Sequence, residues 1–281
     1  MTLPTLTPSM TPSTTSVDPM PSEQAVVSAA MRAEWTKLRT VRSTVWTLGI
    51  TVVVMIGLGA LFTALEAARW DKRSVADVAG FDPLLYSFAG INLAQLSIGV
   101  LGVLVMTSEY AHGLITETLT ATPQRRLLLA AKVATFSAVT AVVGLFSCFA
   151  AFLAGQAILG SDHGGVSLTD PGVLRAVLGA ALFLVMIGVI AIGLGAAIRG
   201  TAGAVAVLFA VLLVVPGLVM LLPSPWDDQV TKYLPGAAGE AMAAVTKFPN
   251  LLGPTAGLAV MCVYTAGALL LGGLALSRRD A

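Results

Sequence analysis

Six stretches of this chain contain no Asp, Glu, Lys or Arg: Ser43–Leu65, Pro83–Ser108, Val133–Ser161, Ala176–Ile198, Gly200–Trp226 and Phe248–Ser277, with lengths of 23, 26, 29, 23, 27 and 30 residues. A helix rises about 1.5 Å per residue, so about 20 apolar residues cross the roughly 30 Å hydrocarbon layer of a bilayer. Every run is long enough. Backbone groups in lipid must be satisfied within the protein, which leaves helices and closed barrels. Barrel strands would alternate apolar and polar residues over about ten positions, whereas these runs are rich in Leu, Val, Ala and Gly throughout. The expected fold is an all-α integral membrane protein with six transmembrane helices, spanning about 44–65, 84–107, 132–159, 175–198, 201–222 and 254–276. With 11% charged residues, against about 25% in soluble domains, a soluble enzyme is excluded.

The two ends of the chain differ from this bundle. Residues 1–22 hold five prolines and ten Ser or Thr but no Lys or Arg. They lack the charged start and apolar centre of a signal peptide and read as a disordered leader. Over 23–42 the apolar residues Val27, Met31, Trp35, Leu38, Val41 and Val45 recur every three or four positions, while Arg32, Thr36, Lys37 and Arg39 lie elsewhere around the helix. This spacing predicts an interfacial amphipathic helix, its basic residues among lipid head groups. Residues 43–279 form the six-span domain.

With the N-terminus inside, ten Lys and Arg fall on the cytoplasmic side and six outside, which favours cytoplasmic termini. Trp46, Trp70, Tyr86 and Trp226 sit near the expected boundaries, as an aromatic belt would. Arg199-Gly200 alone separates two apolar runs, so those helices form a tight hairpin. The last outer connection holds the Ala-rich segment Pro235–Val245, which fits either a helix dipping into the outer leaflet or an ordinary surface helix.

Catalytic and metal chemistry find little support. No lysine follows a glycine, so the GxxxxGK[ST] phosphate loop is absent. Ser161-Asp162-His163 are adjacent residues, and a triad needs groups converging from separated segments. His112 and His163 fall on opposite sides of the membrane, and no metal site is expected; Cys148 and Cys262 are expected as small apolar packing residues. A net charge of +1 gives no basic field for nucleic acid. Because the charge-free runs hold no ionisable residue, an ion-coupled relay within the spans is not expected. One polar seam does stand out: Asn92, Gln95, Gly99, Gly102 and Met106 share one helix face. Close helix packing and a translocation path both fit it, and Gln156 invites the same two readings.

The connection Ser108–Lys132 is the sizeable internal cytoplasmic one. Gly113 permits a turn, Leu114, Ile115 and Leu119 give a short helix an apolar side, and Thr122-Pro123 reads as a cap and first-turn proline. Such a helix, parallel to the membrane, would suit contact with a soluble partner.

Here the chain resembles the permease subunits of ABC-2 type ABC transporters, especially the single-permease exporters of actinobacteria. The resemblance rests on Glu34-Trp35-Thr36-Lys37-Leu38-Arg39, on Glu109-Tyr110, Gly113, Thr118-Leu119, Pro123, Arg125-Arg126 and Lys132, and on Tyr233-Leu234-Pro235-Gly236. It covers about Arg32–Arg279. Glu117 departs from the pattern, where a basic or small residue is commoner. The resemblance implies a short cytoplasmic coupling helix between spans two and three that docks on a separate ATP-binding subunit, with Glu109, Tyr110, Gly113, Thr116, Leu119, Pro123, Arg125 and Arg126 as the coupling segment. It also implies two permeases, identical or different, beside two ATPases in the cell membrane. ATP would then be bound by the partner, with no cofactor in this chain. A non-transporting membrane scaffold or immunity protein is the alternative, and an ion-coupled secondary transporter a further one.

Overall fold

The computed structural model describes residues 23–74, 80–111 and 125–278. Within them the chain is helical, with α1 (Glu23–Thr40), α2 (Arg42–Ala67), α3 (Pro83–Ser87), α4 (Ile91–Ala111), α5 (Arg125–Leu159) and α6 (Val173–Ile198) in the first part. The second part has α7 (Thr201–Phe209), a π-bulge (Ala210–Val214), α8 (Val215–Val219), α9 (Trp226–Thr231), α10 (Pro235–Ala243) and α11 (Pro254–Arg278). Six apolar segments are long enough to cross a membrane: α2, α4, α5, α6, the α7–α8 unit and α11. The leader and the coupling helix lie outside the described residues.

α6 is the centre of the bundle. Its mean hydropathy of 2.8 is the highest of the six spans, and it packs against α4, α5, α10 and α11, as a helix apolar on all sides should. Where the hydrophobic effect between helices is weak, close backbone approach through small residues has to hold them. A Cβ on Gly102 of α4 would lie 2.6 Å from the Gly188 carbonyl oxygen of α6, and one on Gly193 of α6 would lie 2.5 Å from the Ala268 oxygen of α11. By contrast, α2, the α7–α8 unit and α11 leave large apolar side chains outward, among them Trp46, Val53, Leu218, Val263 and Leu270. Cys148 is buried in the core, while Cys262 faces outward.

Three charge-free runs are shaped by local chemistry. The second is divided: the Asp82 carboxylate caps the amide of Leu84, Pro83 occupies the first turn of α3, and α4 begins only after Gly90, which lies against the backbone of Met55. The third run is entered by a helix that starts at Arg125, so α5 reaches 35 residues, well beyond the about 20 that a bilayer requires. In the fifth run the helix widens to a π-bulge just before Pro216, where the missing proline N–H breaks the regular ladder.

The Arg199-Gly200 connection is as tight as the sequence indicates. Arg199 adopts a left-handed conformation with φ 62°, and its amide donates to the Gly195 carbonyl, closing α6 with an αL cap. Its guanidinium donates to the Ala275 carbonyl and lies over the Tyr110 ring.

Candidate functional site

The end of the bundle carrying α1 and the Arg199-Gly200 turn is inner in the orientation given by the charge count. There, three helices converge on a charge cluster. Glu34 of α1, Glu109 near the end of α4 and Lys132 in the extended start of α5 are 4%, 5% and 1% exposed. Lys132 Nζ donates to Glu34 Oε2 at 2.9 Å and to Glu109 Oε1 at 2.6 Å. Lys37 Nζ completes the group, 3.0 Å from Glu34 Oε1 and 2.6 Å from Glu109 Oε1.

Two carboxylates face two ammonium groups, so the cluster is neutral as a unit. That balance makes burial tolerable, because an uncompensated charge at such a place would cost several kcal/mol. Burial works against the Lys37 ammonium, yet its hydrogen bonds and attraction to Glu109 and Glu34 prevail and hold its pKa above the ordinary 10.5.

The cluster corrects two expectations. The basic side of α1 was to lie among head groups, but Lys37 reaches inward to Glu109, while Glu34 and Leu38, one turn apart, form the face that α1 presents to the bundle. Trp35, Met31, Val41 and Val45 stay exposed, as an apolar face turned to lipid would be. The absence of buried ionisable groups was also overstated. Lys132 and Glu109 flank the charge-free runs and are buried, because α5 continues past its apolar segment to pack on α1 and α4, and Glu109 near the end of α4 is bonded to Lys37 of α1.

Of the coupling-segment residues, the structure places Glu109 in this cluster and the Tyr110 ring beneath Arg199. Arg125 and Arg126 open α5, but their side chains lie outside the described residues, as do Gly113, Thr116, Leu119 and Pro123. The cluster nevertheless brackets residues 112–124: Glu109 precedes them and Lys132 follows them, both tied to α1. Thr201 and Thr107 add a hydroxyl–hydroxyl bond of 2.9 Å between α7 and α4.

The polar seam of α4 divides in two. Gly99 and Gly102 meet Leu208 and Gly188 in close helix contacts, and Met106 is buried among α4, α5 and α6 residues. At the outer end Asn92 and Gln95 line a cavity with Glu240. Gln156 belongs to neither group. Its amide nitrogen donates to Ser87 Oγ at 3.3 Å and its oxygen accepts the Val166 amide at 2.7 Å, so it ties α5 to α3 and to the loop before α6.

The Ala-rich outer segment forms α10, which is largely buried against α6 and α11. Asp82, 2% exposed, accepts the amides of Val245 and Thr246, and Arg175 donates to the carbonyls of Met242 and Ala244. Sequence reasoning missed Asp82 and Arg175, whose partners are backbone groups about 160 and 70 residues away. No periodicity encodes such contacts. His163 Nδ1 contacts the Leu159 carbonyl and Ser161 Oγ donates to Asp162, so these three residues do not form a nucleophilic relay.

Six segments long and apolar enough to cross a membrane, joined by an amphipathic helix and a salt-bridged helix end, define a multi-pass membrane protein. Residues 30–217 match the family model described as ABC-2 family transporter protein, a match over well more than half of the chain. The chain belongs to the ABC-2 transporter family and is a permease of that type. No curated protein matches it.

Proposed function

We propose that this chain is the membrane subunit of an ATP-binding cassette exporter, which forms the translocation path and is driven by a separate cytoplasmic ATPase. The observation that supports coupling is the Glu34–Lys37–Glu109–Lys132 cluster. A force on residues 112–124 acts first on the two helix ends that flank them, and both are salt-bridged to α1. The segment, α1 and the inner ends of α4 and α5 would then move as one rigid unit. Through the small-residue contacts of α4 with α6, that displacement passes to the bundle centre, a route of contiguous packed groups.

In this reading the ATPase dimer, closing on ATP, pushes on Gly113–Thr120. Arg125 and Arg126 hold the head-group boundary and contact acidic residues of the ATPase. Two permease copies, or this chain and a related one, rock apart toward the outside, a two-state element biased by the nucleotide. Both termini are cytoplasmic and the assembly resides in the cell membrane among lipids. Cofactor binding, as ATP, belongs to the partner.

Charge reversal tests the contact. Arg125→Glu with Arg126→Glu is expected to lose the co-purifying ATPase while the permease itself remains folded. Unchanged co-purification and unchanged ATP-driven transport would remove the arginines from the coupling interface.

A further inference from the structure

Away from the coupling cluster, the outer end also holds a buried polar group without a partner among the described residues. A cavity of about 40 Å³ between α3, α4, α6 and α10 is lined by Phe88, Asn92, Gln95, Phe183, Gly239 and Glu240. Such a volume takes one group of about the size of a water molecule. The cavity adjoins two wider clefts: one of about 900 Å³ at Leu85, Ala89 and Asn92, whose far wall is charged with Glu66, Arg69, Lys72 and Arg73, and one of about 380 Å³ at Leu85 and Glu240, with Phe248 and Leu251 on its wall.

Among the described residues, the cavity wall carries one carboxyl and two carboxamides and no cation. Gln95 is 3% exposed. Its amide nitrogen donates to Asn92 Oδ1 at 3.3 Å, and its Oε1 is buried with no hydrogen-bond partner among the described residues. The Glu240 carboxyl makes no ion pair or hydrogen bond among the described residues, and burial alone pushes its pKa above the usual glutamate value. A buried acceptor without a donor costs about 1–3 kcal/mol, and a carboxyl held in an apolar wall favours any arriving cation.

We propose that this cavity binds the protonated primary amine of an amphiphile, with Glu240 as counter-charge, Gln95 Oε1 as hydrogen-bond acceptor and the Phe88 and Phe183 rings beside it. An anion would face the Glu240 carboxyl at close range. A hard metal ion needs six or more oxygen ligands, and one carboxylate with two amides falls short. An ammonium needs few acceptors, gains from aromatic faces, and leaves its alkyl chain to the smaller cleft, along Leu85, Phe248 and Leu251. The amine could belong to a lipid head group or to a free amphiphile, and the assignment of the latter as cargo rests on the exporter reading.

The test uses the full chain in phosphatidylcholine nanodiscs, titrated calorimetrically with dodecylamine, with dodecanol as the neutral match and empty discs as the blank. Saturable heat is expected for the amine and not for the alcohol. Glu240→Gln, which keeps the side-chain volume, should weaken binding roughly tenfold or more, since hydrogen bonds to charged groups exceed neutral ones. Gln95→Leu should weaken it severalfold with Glu240 intact. Discs containing phosphatidylethanolamine separate the sources: competition assigns the site to a lipid amine, and undiminished dodecylamine binding assigns it to a free amphiphile. Amine heat no more saturable than that of the alcohol, or unchanged in Glu240→Gln, overturns the proposal. Because no ATPase is needed, that failure would leave the exporter reading standing.

Discussion

Lys132→Met removes the cation that is most deeply buried and bonded to both carboxylates. What remains is Glu34 and Glu109 sharing Lys37, with one negative charge in excess. Removing one partner of a buried ion pair costs about 3–5 kcal/mol. Lys37 already lies 2.6 Å from Glu109 and 3.0 Å from Glu34, so its partial compensation puts the expected loss near the low end, about 3 kcal/mol. Lys37→Met also leaves an excess negative charge, but the Lys37 side chain is 48% exposed and water screens what it leaves behind, so that loss is expected at about 1 kcal/mol or less. Adding Glu109→Gln to Lys132→Met restores neutrality and should recover more than half of the loss, a coupling of about 2 kcal/mol between residues in one network. The assay is reversible unfolding in mixed micelles, with single and double variants compared in one lipid and detergent mixture. If Lys132→Met costs no more than Lys37→Met, or if Glu109→Gln adds a second loss to the first, the cluster is not the charge-balanced clamp described above.

Gly102→Ala should destabilise by about 1–3 kcal/mol through overpacking, because its Cβ would lie 2.6 Å from the Gly188 oxygen; Gly57→Ala, with nothing within 4 Å, should stabilise by up to about 1 kcal/mol, and thermal melting of the pair checks both. Asp82→Ala orphans the amides of Leu84, Val245 and Thr246, at about 1–3 kcal/mol each where buried, and should be seen as faster hydrogen exchange over residues 243–246. Glu240, with its folded pKa raised by burial, contributes stability that is fully present below the unfolded glutamate value and lost as pH rises through the folded one. Wild type and Glu240→Gln should therefore melt alike at low pH, with the variant the more stable at neutral pH; a gap independent of pH would contradict this.

Most of the architecture is legible because lipid leaves a chain few options: a charge-free run of more than 20 residues has to be a helix, and six such runs stand out in the primary structure. Charge sign and spacing are less informative about partners. Lys37 lies on the basic side of an amphipathic pattern, yet its partner Glu109 is 72 positions away, and a helical wheel of α1 carries no trace of it. Glu34 sits one turn from Leu38 on the face turned to the bundle, a charged residue at an apolar position, and that mismatch was the available signal. The division of the α4 seam was hidden for a similar reason. Gly102 and Gln95 share a helix face, but only the approach of α6 at one level and α10 at the other makes the first a packing contact and the second a cavity wall. Asp82 and Arg175 act on backbone groups, which every residue has, so composition offers nothing to find them by.

The claim that energy comes from another chain is tested most directly by tagged purification from the native membrane, followed by identification of what accompanies the permease. The expected result is a co-purifying ATPase carrying the GxxxxGK[ST] loop that this chain lacks, at a stoichiometry near one per permease. Recovery of the permease without any such ATPase, under conditions in which other membrane complexes stay intact, would contradict it.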